Sequence, residues 1–137
     1  MKFRNKWPQF LVLSLLLTLS LACQKDEEIV TIKRNWRVTY SVLAISDITI
    51  NNITYVDEFG LPQTVPGDRN FSFSIDAETG FIARLSVDAE AVNGGVVATI
   101  DAQALDGSLE NEVASADGGH SGTAAQPVQV SVELRLP

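Results

Sequence analysis

Along much of the segment from Trp36 to Leu136, apolar residues recur at every second position, and only extended backbone gathers such residues on one face. Trp36, Val38, Tyr40 and Val42 alternate with Arg37, Thr39 and Ser41. Phe71, Phe73 and Ile75 alternate with Ser72 and Ser74, and Phe81, Ala83, Leu85, Val87 and Ala89 alternate with Ile82, Arg84, Ser86 and Asp88. The run Val128, Val130, Val132, Leu134, Leu136 closes the chain and predicts a terminus held in a sheet. No segment after residue 28 carries the three-to-four spacing of an amphipathic helix. The pattern excludes a helical or α/β domain.

Turn residues separate these runs. Asp57-Glu58-Phe59-Gly60, Ala77-Glu78-Thr79-Gly80, Asn93-Gly94-Gly95 and Asp106-Gly107 read as turns, the third as a hairpin signal. Ala116 to Gly122 reads as a flexible loop. The apolar parity switches between Ile50 and Ile53, so Asn51-Asn52 must bulge or turn to keep both on one face. Pro62 and Pro66 send the short segment between them to a sheet edge. Seven or eight strands at this spacing predict an immunoglobulin-like β-sandwich over residues 36–137, with a small barrel as the alternative.

The first 22 residues differ from the rest. Lys2, Arg4 and Lys6 form a positive start, and Phe10 to Leu21 is an almost unbroken apolar run. An export signal uses an apolar stretch of about 7–15 residues, whereas a spanning helix needs about 20. The run therefore predicts a removable signal helix, with a tether over residues 23–35.

Cys23, the only cysteine, stands where the apolar run ends. Ser20-Leu21-Ala22-Cys23 resembles the lipobox of bacterial lipoproteins, with Ser20 where the family usually has leucine. The resemblance implies cleavage before Cys23 and acylation of its sulfur and new amino group. Gln24-Lys25-Asp26-Glu27-Glu28 resembles the export tag of Bacteroidetes surface lipoproteins. That resemblance implies an outer-membrane protein, lipid-anchored and displayed at the cell surface, with the periplasmic face as the other location. Each buried methylene contributes about 0.8 kcal/mol, so several acyl chains anchor firmly without a transmembrane helix.

Of the ten basic residues three lie in the leader, while all 17 acids lie beyond it. An acidic domain is a poor partner for nucleic acid or anionic lipid. Few chemical groups are available for catalysis. His120 is the only histidine, beside Asp117 and Ser121 in a glycine-rich stretch that offers a triad no rigid frame. Asp57 with Glu58, or Asp101, Asp106 and Asp117, would have to gather to bind calcium, and no D-x-D-x-D-G run supports this. No catalytic residue, metal site or cofactor is expected. Phe59, at a turn tip, either offers a contact for a protein or glycan partner or folds back over the core edge, and the sequon at Asn52-Ile53-Thr54 reads as incidental.

The order of landmarks in the domain also resembles the extracytoplasmic part of the MmpS family. The matching stretches are Val38–Val42, Ile53–Asp57, Phe71-Ser72-Phe73, Gly80–Ala89, Gly94–Ile100 and Asp106-Gly107. That resemblance implies a small β-sandwich, and as an alternative function a periplasm-facing accessory of a resistance-nodulation-division transporter. The family anchors by a helix, where this chain has Cys23.

Overall fold

The computed structural model describes Ile32–Pro137; the expected signal helix, Cys23 and the tag Gln24–Glu28 lie outside the described residues. Five antiparallel strands form one sheet: β1 (Asn35–Val56), β2 (Pro62–Pro66), β3 (Asn70–Glu78), β4 (Ile82–Ala104) and β5 (Asn111–Arg135). β1 pairs along its length with β4, and β5 continues the sheet beyond β4. On its other side β1 pairs with β3 through its first half and with β2 through its second. The proline-flanked β2 is an edge strand, as its composition requires.

Five strands stand where seven or eight were expected, because three of them run straight through stretches that read as turns. β1, β4 and β5 have 22, 23 and 25 residues, far above the usual length of about 5–6. The ladder between β1 and β4 shifts register between Ile50 and Asn52, which is the correction demanded by the parity switch there. A second shift falls between Asp47 and Ile48, and β4 shifts against β5 between Ala91 and Asn93. Gly94 and Gly95 therefore lie inside β4 and make no hairpin, and Ala116–Gly122 is mostly strand rather than loop.

Backbone geometry explains the difference. The hairpins turn at Gly60, Gly80 and Gly107, whose φ values of 78°, 86° and 83° are the left-handed conformation that favours glycine. Gly94 has no such conformation. A Cβ there would sit 2.5 Å from the carbonyl oxygen of Ile45 and 2.8 Å from the amide nitrogen of Asp47. This glycine serves close approach of β4 to β1 at the bend, and a sequence alone does not separate that use from a turn. Ser46, at the same bend, holds φ at 60°, the left-handed region that a residue with a Cβ enters at a cost.

Contacts join the first and second halves of the long strands. Tyr40, in the first half of β1, donates its hydroxyl hydrogen to the Val56 carbonyl in the second, at 2.7 Å. Its ring centre lies 5.5 Å from that of Tyr55, which lies 4.9 Å from that of Phe73 on β3. Burial, helped by the charge of Asp57, pushes the Tyr40 phenol well above its ordinary range, so the hydroxyl stays a donor. Within β5, a Cβ on Gly118 would meet Val130 and Val128 of the same strand's second half. A single core results, from Trp36, Val38, Tyr40, Ile53, Leu85, Val87, Ile100, Val130 and their neighbours. Phe71 and Phe81 pack against it, while Phe73 stays partly exposed because β3 is an edge.

The link between β2 and β3 fastens the bend. Arg69 donates from Nη1 to the Ile48 carbonyl at 2.6 Å and from Nη2 to the Ser46 carbonyl at 2.8 Å. The Gly67 amide donates to the Asn51 carbonyl at 3.1 Å, and the Ala44 amide to the Arg69 carbonyl at 2.9 Å. At the opposite end the chain's entry and exit meet the β3–β4 turn. The Thr79 amide donates to the Arg34 carbonyl and the Gly80 amide to the Leu136 carbonyl.

Candidate functional site

Strand alternation separates the groups that the sequence set side by side. His120 lies on β5 opposite Gly94, with its imidazole over Gly122, where a Cβ would fall 2.5 Å from Nε2. Asp117 and Ser121 are an odd number of residues away on the same strand, so they belong to the other face. A triad of these three does not assemble. The stretch is held in the β4–β5 ladder, so the obstacle is strand geometry, where the sequence suggested flexibility.

The acids are likewise apart and largely occupied. Asp101 is paired in register with Val113, and Asp117 with Val97. Asp106 sits in the β4–β5 turn, where it accepts from the Ser108 amide at 2.9 Å and pairs with Arg34 at 3.3 Å. Hydrogen bonds from Ser108 hold its carboxyl below the usual range. Asp57 organises the β1–β2 turn: its Oδ1 accepts from the amides of Phe59 and Leu61 at 3.0 and 2.9 Å, and its Oδ2 accepts from Gln63 at 2.8 Å. Among the described residues no group of three or more histidine, cysteine, aspartate or glutamate side chains could hold a metal ion. Of the aspartates that read as candidate ligands, Asp57 and Asp106 act here as turn builders, while Asp101 and Asp117 stand within strands.

Asp57 gives a testable pH dependence. Its carboxyl is held below the ordinary value, chiefly by the Leu61 amide. A depressed folded-state value means the stabilisation is present above the unfolded value of about 4 and is lost as pH falls through the folded one. Urea denaturation is expected to show Asp57→Asn less stable than the wild type at neutral pH, with the gap closing in acid below about pH 4. A gap that stays constant across that range would remove Asp57 from the acid sensitivity.

What remains for recognition is surface. Phe59 is 78% exposed at the tip of the β1–β2 turn beside Leu61, so it does not fold back over the core. Exposed hydroxyl pairs link neighbouring strands: Thr39 with Ser74 at 2.9 Å, Thr54 with Thr64 at 2.9 Å and Ser86 with Ser131 at 3.0 Å. Near the β1–β2 turn a surface depression of about 650 Å³ is lined by Arg37, Glu58, Ser74, Ile75 and Asp76. Arg37 is engaged by Asp76 at 3.0 and 3.4 Å, so this depression has a charged wall where small-molecule pockets are mostly apolar.

No protein-family model matches the chain, and no curated protein or solved structure matches it significantly. Function must therefore be argued from the residues themselves.

The sequence did not point to Arg69 as the fastening of the bend. Its only signal was a single cation between Gly67-Asp68 and a strand start, which reads as an ordinary solvated loop residue. Asn52 of the sequon lies exposed on β1, paired with Pro66 and Asp88.

Proposed function

We propose that the chain is a non-catalytic outer-membrane lipoprotein, displayed at the cell surface, whose β domain is a binding or envelope-assembly module. The observation that carries this reading is the lone Cys23 at the end of the apolar run, followed at once by Lys25, Asp26, Glu27 and Glu28. A non-catalytic role is supported by the separation of His120 from Asp117 and Ser121, and by the turn-building use of Asp57 and Asp106. The finer architecture we propose is an immunoglobulin-like sandwich: β1, β4 and β5 each contribute a segment to two facing layers, completed by β3 in one and β2 in the other. A protein or glycan would meet the hydroxyl-lined outer faces or the Phe59 tip.

The anchor is tested in the native host. Wild-type protein is expected to take up labelled fatty acid and to fractionate with membranes. Cys23→Ala should carry no label, and either appear free of the membrane or persist as an uncut precursor. A wild-type chain without fatty acid, or a mature chain beginning elsewhere than Cys23, sinks the proposal. Protease added to intact cells then separates the surface from the periplasmic accessory suggested by the MmpS resemblance: digestion before lysis supports the first, protection the second.

A further inference from the structure

The two edges of the sheet are treated differently by the sequence. On the β2/β3 side the edge is broken into strands of 5 and 9 residues, and β2 has proline at both ends. Such breaks are how native sheets avoid pairing with one another. The other edge is β5, whose partner among the described strands is β4 alone. From Asn111 to Gln126 it contains no proline, lysine or arginine, and its charges are two acids, Glu112 and Asp117, so half of this long strand lacks the lysine and proline that most often guard an edge. Pro127 interrupts only the second half. Small residues, Ala114, Ala116 and Gly118, occupy the inward positions, and Val113 stands 55% exposed on the outward face.

We infer that the first half of β5 is a pairing edge for a second copy of this chain, joined antiparallel about a two-fold axis at Ala116. The charges select this occupant and this register. Antiparallel pairing about Ala116 sets Glu112 opposite His120 of the second copy, and His120 opposite its Glu112. It also sets Ser115 opposite Asp117, a hydroxyl facing a carboxylate, and Val113 opposite Gly119. Each favourable pair occurs twice by symmetry. Moving the axis to Asp117 puts that carboxylate opposite itself, and like charges directly opposite one another destabilise a sheet. Moving it to Ser115 leaves Asp117 facing Val113 and puts His120 beyond the start of the partner strand. The chosen register joins the only histidine of the chain to a carboxylate and continues the sheet as β4–β5–β5–β4. The inference does not depend on acylation of Cys23.

Cross-linking tests it directly. Directly opposite residues of an antiparallel pair have Cα atoms about 4.5–5.5 Å apart, within the range a disulfide spans. Full-length protein carrying Ala116→Cys is purified in detergent and oxidised with copper phenanthroline. It should form a disulfide-linked dimer on the order of tenfold faster than Thr99→Cys, on the interior strand β4, with the wild type reporting any contribution of Cys23. Glu112→Lys and His120→Glu, each added to Ala116→Cys, should slow the reaction, and the two together should restore it by exchanging the charges. Circular dichroism confirms that each variant is folded. Equal rates for Ala116→Cys and Thr99→Cys overturn the inference, as do faster linkage through Ser115→Cys or failure of the charge exchange to restore it.

Discussion

Gly67→Ala is expected to destabilise the domain more than any other single methyl addition at a glycine. Gly67 does not have a left-handed φ, so alanine suits its backbone. The obstacle is space. A Cβ at this position falls inside the van der Waals radius of the Ile50 carbonyl oxygen, with the carbonyl carbon and the Ile50 Cβ also in its way. Two of these atoms are backbone in the centre of β1, so no side-chain rotation relieves the contact. The link would have to lift away and lose the Gly67 amide bond to Asn51. Overpacking costs about 1–3 kcal/mol where side chains can yield, and a clash with a central strand should reach the top of that range or exceed it. For a domain of this size that corresponds to a fall in melting temperature of about 10 °C or more. Gly60→Ala is the comparison. Its added methyl meets nothing within 4 Å, but its φ is 78°, so the cost is the left-handed penalty of about 1–2 kcal/mol. Thermal denaturation that ranks Gly60→Ala as the more damaging would show that the β2–β3 link is not packed as described.

The second large effect belongs to Arg69→Met. The methionine keeps much of the aliphatic stem and removes the guanidinium that spans the carbonyls of Ser46 and Ile48. Hydrogen bonds from a charged donor contribute about 1.5–3 kcal/mol each, but Arg69 is partly exposed and water can replace it, so a total loss of about 2 kcal/mol is expected. Arg69→Lys should recover little of this, because one ammonium does not reproduce a planar fork aimed at two acceptors. Hydrogen exchange should show the loss as local. Amides near the bend, such as Ala44, should exchange faster, while those opposite Trp36 and Val38 keep their protection. Uniform acceleration along the whole of β1 would mean that the bend has no separate fastening.

Much of the sheet could be read from residue order. Alternation identified the inward faces of Trp36–Val42 and Phe81–Ala89, and Pro62 and Pro66 identified the edge. The parity switch between Ile50 and Ile53 located a register shift. Continuity of the strands was harder to read. A glycine pair inside a β pattern signals either a tight turn or a close crossing, and the two differ in φ, which composition does not encode. Gly80 and Gly107 took the first role and Gly94 the second. The small residues of Ala116–Gly122 read as a loop because their partners, Gly94 to Ala98, are distant in sequence. The candidate site suffered the same way: His120, Asp117 and Ser121 are neighbours in order, but alternation along a strand sends them to opposite sides.

Arg34 and Leu136 bind consecutive amides of one turn, those of Thr79 and Gly80, so the described chain starts and finishes almost at the same place. A short Gly-Ser bridge from Pro137 to Ile32 could therefore close the domain into a ring. New ends could then be opened at one of the hairpins without cutting through the core. The same proximity has a practical side: cargo fused after Pro137 would emerge beside Arg34, leaving the bend at the far end uncovered.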